Sequence, residues 1–496
     1  MRAGAGGRAG NPHWPAGAGT HLPTRQGRQA MMRPIALLLL LALGGCAGME
    51  PSRPAPALPE RYSQALPGHA PDAQAWDGFG DPGLSRWIAT VREGNIDLAA
   101  SLARLDAARA ELGVLNADRY PKLDFEQSVE RRKLSKFDLG EVGEDTANPS
   151  TRYSSRLALG YEVDLRGRVS AAVRAGRADL KASGGDLDAL GLSLARQTTE
   201  LWLTRAELAA DVELLREAAR LRQRLLAGVA AKRRVGLASG KQLLEPDSEA
   251  SEAARLLAQQ GDALKRVERS LCQLAAQMPN ACGLPPARPL RELRLPEVGG
   301  EVPARLLQRR PDLSAAQARY EAARARIDEA EAARWPSLTL NGGLGISAGS
   351  WSALRGSKVL NWSLLPQLDI PLFDAGKRKA EAQRARSAAA EQYAAWRGAV
   401  TRAVYEVEDA AAAAHFAGTD QEAKQRQYAD ASRRLRAERD ARGVGLSDGQ
   451  AEWRAQLAQL QAEQGVQGAR RQQLLAAANL IAALGGGWEG SDKTTP

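Results

Sequence analysis

Residues Ala107–Leu123 (AARAELGVLNADRYPKL) and Ala322–Leu338 (AARARIDEAEAARWPSL) are two copies of one segment. Each copy is a helical pattern that ends in an aromatic residue followed by proline. Two further pairs match in the same order, again about 210 residues apart: Asp164–Arg168 with Pro371–Lys377, and Val235–Ala238 with Val444–Ser447. Because an internal repeat identifies the unit from which a fold is built, the sequence predicts one structural unit that is used twice.

The residues after each copy change from the period of a helix to the period of a strand. Apolar and polar residues alternate in 123–130, 156–164, 337–346 and 362–370. We therefore predict two β-hairpins, at 122–164 and 337–372. Each strand has about 10 residues, the length of a tilted strand that crosses a membrane.

The helical patterns after the hairpins are too long for a globular domain. Arg168–Val235 and Lys377–Arg442 contain no proline, and each would be about 100 Å long at 1.5 Å per residue. Gly184-Gly185 is where we expect an irregularity, since each glycine costs ~1 kcal/mol relative to alanine. Shorter helices are predicted at Asn95–Asp118, Gln242–Met278 and Gly449–Leu484. We expect two short helices to stack end to end against each long one.

Four strands cannot close a membrane barrel, and lipid does not tolerate open sheet edges. Several copies of the chain must therefore share their strands, and three copies would supply 12. The alternation assigns to a lipid face Leu123, Phe125, Val129, Leu157, Leu159, Tyr161, Leu338, Leu340, Leu364 and Leu368. It assigns to a water-filled lumen Asp124, Glu126, Glu130, Glu162, Asp164, Thr339, Asn341 and Asp369. A half-exposed antiparallel sheet in a soluble periplasmic protein is the alternative.

The start of the chain carries an export signal. Met32-Arg33 precedes an apolar stretch that is too short to cross a bilayer. Leu43, Gly44, Gly45 and Cys46 end it and resemble the bacterial lipobox, which implies N-acyl and S-diacylglycerol groups on Cys46. An ordinary cleavable signal is the alternative. The lipoprotein rule for Ala47 implies export to the outer membrane, and translation is expected to begin at Met31 or Met32.

Composition and charge exclude several classes of protein. The formal net charge of +10 includes five arginines that precede Cys46, so the mature chain is about +5. Its basic residues are interspersed with Asp and Glu, which argues against nucleic-acid binding. The four histidines are scattered, so we expect no metal site and no cofactor besides the lipid. Cys272 and Cys282 are expected to form a disulfide, with free thiols as the alternative.

Several motifs of the chain, and the order in which they occur, resemble those of the TolC-like family of outer-membrane efflux proteins. The resemblance is to the NodT-type lipoprotein branch of this family. The motifs are Trp76–Pro82 (WDGFGDP), Asp164-Leu165 with Gly167-Arg168, Val302–Leu313 (VPARLLQRRPDL) and Ala333–Leu338 (ARWPSL). They cover about Ala75 to Trp488. Arg166 departs from the family pattern, because relatives often carry an aromatic residue there.

The resemblance implies an α+β membrane protein that forms a homotrimer. Four strands per chain would be pooled into a 12-stranded outer-membrane barrel, continued by a long helical periplasmic barrel with an equatorial belt. The chain would not be an enzyme but the passive exit duct of a tripartite efflux system in a Gram-negative bacterium. Its partners would be a periplasmic adaptor and an inner-membrane pump of the resistance-nodulation-division class. A duct for type I protein secretion is the alternative, and a secreted coiled-coil scaffold is a third class.

The predicted organisation follows from these assignments. The segments are a leader (1–45), a lipidated tether (46–75), two structural repeats (76–290 and 291–488) and a tail (489–496). The resemblance implies that six residues lie at the periplasmic tips and contact the adaptor. They are Val235, Gly236, Leu237, Val444, Gly445 and Leu446. Asp448 is the candidate gate residue, since three copies would form an acidic ring. It is equally a good helix N-cap.

Overall fold

The computed structural model describes residues 54, 56–63, 69–133, 149–300, 303–355, 359–447 and 449–488. The helices are α1 (Pro82–Gly94), α2 (Ile96–Ala117), α3 (Arg168–Arg234), α4 (Lys241–Leu274), α5 (Leu306–Arg309), α6 (Pro311–Ala332), α7 (Lys377–Gly443) and α8 (Gly449–Ala483). The strands are β1 (Lys122–Arg132), β2 (Ser150–Val163), β3 (Ser337–Ala348) and β4 (Leu360–Asp369). The order short helix, hairpin, long helix, returning helix therefore occurs twice.

The long helices form the wall of the molecule. The helices α3 and α7 each contain 67 residues, which corresponds to about 100 Å. The helices α2 and α4 pack on one side of α3, and α6 and α8 lie between α3 and α7. The predicted positions of both long helices are confirmed to within one residue.

The short helices meet end to end, as predicted. Asn95 caps the start of α2 and donates its side-chain N–H to the carbonyl oxygen of Leu274, the last residue of α4, at 2.9 Å. In the second repeat, Arg310 precedes α6 and donates to the carbonyl oxygen of Ala483, the last residue of α8, at 3.2 Å. Side-chain donors thus satisfy carbonyl groups that the helix ends leave open.

The helix α4 ends four residues earlier than predicted. Ala276 adopts a left-handed conformation with φ of 52°, and the N–H of Gln277 donates to the carbonyl oxygen of Cys272 at 2.9 Å. Cys272 forms a disulfide with Cys282, with Cα atoms 5.8 Å apart. A left-handed residue followed by this backward hydrogen bond terminates a helix, and helical periodicity gives no sign of it.

The predicted irregularity at Gly184-Gly185 is wrong, because α3 is continuous through both residues. The reason is close packing against α6. A Cβ atom on Gly185 would lie 2.9 Å from the Pro311 carbonyl oxygen and 3.0 Å from the Ala315 side chain. The missing side chain lets two helix backbones approach each other, which offsets the cost of glycine in a helix.

The sheet contains the four strands in the order β1-β2-β3-β4, all antiparallel. Leu123 is opposite Leu159, and Leu338 is opposite both Val163 and Leu368. Strand β2 begins at Ser150, earlier than the alternation indicates, because its first residues are polar on both faces. Among the residues that the structure describes, the outer edges of β1 and β4 have no partner strand. None of the helices in the described ranges is both long and apolar enough to cross a membrane.

We expect Gly185→Ala to lower the stability of the assembled protein, because the added methyl group would force α3 and α6 apart at a cost of about 1–3 kcal/mol. Gly191→Ala, in the same helix, is the matched control: no atom lies within 4 Å of its added Cβ, so helix propensity should stabilise it by ~1 kcal/mol. The thermal midpoint measured by circular dichroism in detergent should fall for the first variant and stay or rise for the second. Equal midpoints would contradict the close-packing explanation.

Candidate functional site

The register gives the sheet one apolar face. All ten residues predicted for the lipid face lie on it, and it also carries Leu344, Ile346, Leu360 and Trp362. Many of these side chains are exposed in the protomer, including Phe125 at 67% and Trp362 at 76%. A continuous exposed apolar face of this size marks a surface that contacts lipid or another protein.

The opposite face of the sheet is polar and charged. It carries Asp124, Glu126, Glu130, Glu162, Thr339, Asn341 and Asp369, as predicted. Arg156 is opposite Glu126 and lies across the neighbouring strand, where a Cβ on Gly343 would come within 2.5 Å of its guanidinium. The glycines of β3 therefore make room for a charged side chain. Leu365 is an apolar residue on this face.

The polar face continues onto one side of the helical wall. Arg168, the first residue of α3, donates two hydrogen bonds to Glu162 at 2.8 and 2.6 Å. It also lines a groove of about 670 Å³ between α3, α6 and α7. Charged residues line this groove as well: Asp179, Arg319, Arg326, Glu329, Glu381 and Arg384. Charged residues therefore continue from the polar face of the sheet onto the helices.

Each long helix begins at a glycine in the left-handed conformation, Gly167 with φ of 76° and Gly376 with φ of 86°. An aspartate caps each start. Asp164, predicted as a lumen residue of the strand, instead lies just past β2 and accepts hydrogen bonds from the N–H groups of Val169 and Ser170 at 3.1 and 2.9 Å. Asp374 accepts from Gly376 and Arg378. In both repeats, an aspartate thus caps the long helix that follows the hairpin. The number of residues between this aspartate and the left-handed glycine differs between the repeats.

The departure at Arg166 has a structural counterpart. Its guanidinium lies 4.0 Å from the centre of the Trp335 ring, which is a cation–π contact. A planar cation therefore takes the position where the family resemblance implies an aromatic residue.

The two turns at the far ends of the long helices have the same geometry. The N–H of Gly236 donates to Arg233 and that of Leu237 to Lys232, and Gly445 and Leu446 repeat the pattern with Arg442 and Ala441. These paired backward hydrogen bonds with glycine at positive φ form a Schellman turn. Next to the glycines, Val235, Leu237, Val444 and Leu446 are 70–84% exposed. The turns therefore present apolar side chains that the fold of the chain does not bury.

The second turn is tied to the returning helix. Arg439 and Arg442 of α7 both donate to Glu452 of α8, the former at 3.2 Å. The hydrogen bond from Arg442 holds the pKa of Glu452 below its usual value. Helical periodicity does not reveal this cluster, although the opposite charges on the two sides of the turn could have indicated it. Asp448 lies outside the described residues, as do Leu43, Gly44, Gly45 and Cys46.

Arg310, the second arginine of the RRPDL motif, connects three helices in the middle of the chain's fold. Arg310 is 11% exposed and pairs with Asp312 at 2.8 Å and with Glu406 at 2.6 Å. The two carboxylates raise its pKa, against the opposing effect of burial. Arg310 therefore joins the start of α6, the end of α8 and the side of α7, which explains the motif as a structural one.

A half-buried acidic pair, Glu207 and Asp211, lies on α3, and Glu207 contacts α8. Glu207 pairs with Arg471 at 2.6 Å. One turn away, burial and the charge of Glu207 raise the pKa of Asp211 to about 6. Within the described ranges, no group of acidic, histidine and cysteine side chains could hold a metal ion.

A protein-family model described as "Outer membrane efflux protein" matches residues 87–277 and 302–486. The chain is 28% identical to outer membrane protein OprJ of Pseudomonas aeruginosa, over 92% of this chain and 95% of OprJ. It is 26% identical to the probable outer membrane lipoprotein SilC of Salmonella typhimurium, over 70% of this chain and 75% of SilC.

The fold matches solved channels over almost their whole length. The structure of the outer-membrane channel OprN superimposes with a TM-score of 0.80 and 25% identity, covering 90% of this chain and 99% of OprN. The four-stranded sheet and the wall of paired helices therefore follow a known channel fold.

Proposed function

The chain belongs to the outer membrane efflux protein family, and we propose that it is the exit duct of a tripartite efflux system. It is an outer-membrane channel of the TolC-like trimeric type and not an enzyme. The proposed parts are the assembly with a periplasmic adaptor and an inner-membrane pump, the roles of the tips and of Asp448, and the lipid on Cys46. Type I protein secretion, the alternative, is not favoured by relatives that are efflux channels.

The observation that carries the function is the sheet with two open edges and two unlike faces. In lipid, every backbone N–H and C=O group needs a partner, so β4 of one protomer must pair with β1 of the next. Three protomers supply 12 strands. The apolar face then meets lipid, and the polar face with Glu126, Arg156 and Glu162 lines a water-filled lumen.

The helical wall extends the lumen towards the inner membrane. Because Arg168 joins the polar face of the sheet to the groove on the wall, the charged side of the wall faces the lumen. Charged residues on this side keep water in the duct and offer transported molecules no continuous apolar surface. Transport energy would come from the pump, while this chain supplies the passage.

The tips are the proposed contact with the adaptor. Leu237 and Leu446 are 77% and 84% exposed at the ends of rigid helix pairs. Exposed leucines on a fixed turn would contribute free energy of binding if the helices of a partner removed them from water. The basic residues Lys232, Arg233 and Arg234 beside the first tip would add electrostatic attraction for an acidic partner surface.

We expect Leu237→Ser together with Leu446→Ser to weaken adaptor binding by at least about tenfold, because each buried leucine contributes ~1.5–3 kcal/mol. Cells of the native strain that carry this variant should accumulate a fluorescent efflux substrate. Met278→Ser is the control, since Met278 is 71% exposed but distant from the tips in sequence. Semi-native electrophoresis should show normal trimers for both variants. Normal efflux by the double variant would exclude the tips as the adaptor contact.

Asp448 and Glu452 are proposed to control the opening of the second tip. Asp448 is four residues before Glu452, which links the two helices of the tip through Arg439 and Arg442. Three copies of Asp448 near the axis would form an acidic ring that attracts cations. Loss of the Glu452 links would let the returning helix move away from α7.

We expect Asp448→Asn to reduce the cation preference of single channels in planar bilayers, and Glu452→Gln to raise their conductance. Glu422→Gln, on an exposed side of α7, is the control and should change neither property. Unchanged conductance and selectivity in both tip variants would remove this pair from the gate and leave Asp448 the role of a helix cap.

The lipid on Cys46 is proposed from the lipobox, and the similarity to the lipoprotein SilC supports it. Stable anchoring needs more than one acyl chain, and modification of Cys46 by diacylglycerol and a third acyl group would satisfy this need. We expect Cys46→Ser to abolish incorporation of radiolabelled palmitate, with Cys272→Ser as the control that keeps the label. Persistent labelling of the Cys46 variant would disprove the anchor.

The pump is proposed to be of the resistance-nodulation-division class.

A further inference from the structure

The apolar face of β1 ends in a pair of cations at the end of the strand farthest from the helices. Arg131 lies on the same face as Leu123, Phe125 and Val129, because successive residues of a strand alternate between faces. Lys133 follows two residues later. Both side chains are exposed, and within the described part of the chain neither makes a hydrogen bond or an ion pair.

The position of Arg131 corresponds to the outer boundary of the membrane. Strand β1 has 11 residues, which is the length of one tilted crossing. Its first residue, Lys122, adjoins the helical wall, so Arg131 lies at the opposite, external boundary. Tyr153, opposite Val129, contacts Trp351 edge to face at 5.8 Å. Aromatic residues in such positions mark the membrane–water interface, and Arg131 is the next residue of its face beyond this level.

We propose that Arg131 and Lys133 bind the phosphate groups of an anionic lipid in the outer leaflet, at three equivalent sites around the trimer. The inference rests on the proposed outer-membrane channel. Its chemistry is specific: a guanidinium can bind phosphate oxygens through two parallel hydrogen bonds, and an ammonium group adds a point charge. Basic residues at the surface of an anionic membrane are attracted to its headgroups.

The cations on the lumen face at the same end of the strands differ from Arg131 in their neighbours. Arg132 and Arg152 lie on the lumen face, and Arg152 is directly opposite Glu130 in the register. An acidic residue therefore accompanies the lumen-facing cations. On the outward face, Arg131 is opposite Thr151, which carries no charge. The two faces supply a matched pair of sites for mutation.

Acidic residues of the connecting segment 134–148 are the alternative partners of Arg131 and Lys133, in place of lipid phosphate. The segment contains Asp138, Glu141, Glu144 and Asp145 and lies outside the described residues. If these carboxylates neutralised Arg131 and Lys133, the wild-type protein would bind little anionic lipid, and their replacement by amides would create binding. The experiment includes that variant for this reason.

The test is native mass spectrometry of the purified full-length trimer incubated with diphosphorylated lipid A or with its dephosphorylated form. We expect wild type to bind the phosphorylated lipid preferentially and Arg131→Gln/Lys133→Gln to bind it at least about tenfold less. Arg132→Gln/Arg152→Gln should bind within about twofold of wild type. Arg131→Lys/Lys133→Arg keeps the charge but removes the guanidinium from position 131, so its binding should lie between that of wild type and that of the glutamine variant.

Three results would overturn the proposal: equal binding by the outward-face variant and wild type, displacement of the lipid by millimolar inorganic phosphate, or binding that appears only after the acidic residues of 134–148 are neutralised. Fractionation and efflux assays separate this outcome from the function of the duct. The outward-face variant should still reach the outer membrane as a trimer and support efflux. Failure of wild type to do so would instead contradict the proposed function itself.

Discussion

The unpaired backbone at the edges of the four-stranded sheet is the constraint on which the whole structure depends. The edges of β1 and β4 have no partner strand in the described part of the chain, and each unsatisfied N–H or C=O group costs several kcal/mol in lipid. The protomer therefore has no stable membrane-inserted state of its own. Pairing between protomers removes the edges and at the same time encloses the charged face, so assembly and formation of the channel are one event.

The helical wall follows from the same strands. Each hairpin enters from a short helix and leaves into a long one, so the chain must reverse its direction once below the membrane for every two strands. End-to-end stacking at Asn95 and at Arg310 keeps the short helices in line, and Gly185 lets α6 approach α3. Contacts at helix ends therefore align the helices of the wall, and buried apolar clusters, such as the one that includes Trp202, Leu203 and Ile481, pack them together.

Periodicity predicted the elements that repeat over many residues, and it failed where a single residue decides the geometry. The long helices and the faces of the sheet agreed with the sequence because dozens of positions share one pattern. The end of α4 depends on Ala276 at positive φ, and the continuity of α3 depends on a neighbour far away in sequence, Pro311. The role of Arg310 was hidden because its partner Glu406 lies almost 100 residues later. Local patterns carry no information about such contacts.

The two repeats have kept the same tip geometry but not the same electrostatics. Both turns are Schellman turns with exposed apolar residues. The first is flanked by Lys232, Arg233 and Arg234, whereas the basic residues of the second are bound by Glu452. Around the axis of a trimer, three basic tips therefore alternate with three internally tied tips. Because the second tip must break the ion pairs of Glu452 before α7 and α8 can separate, the opening of that tip depends on these pairs. The two copies of the unit thus form similar helices in the wall but tips with different charged surroundings.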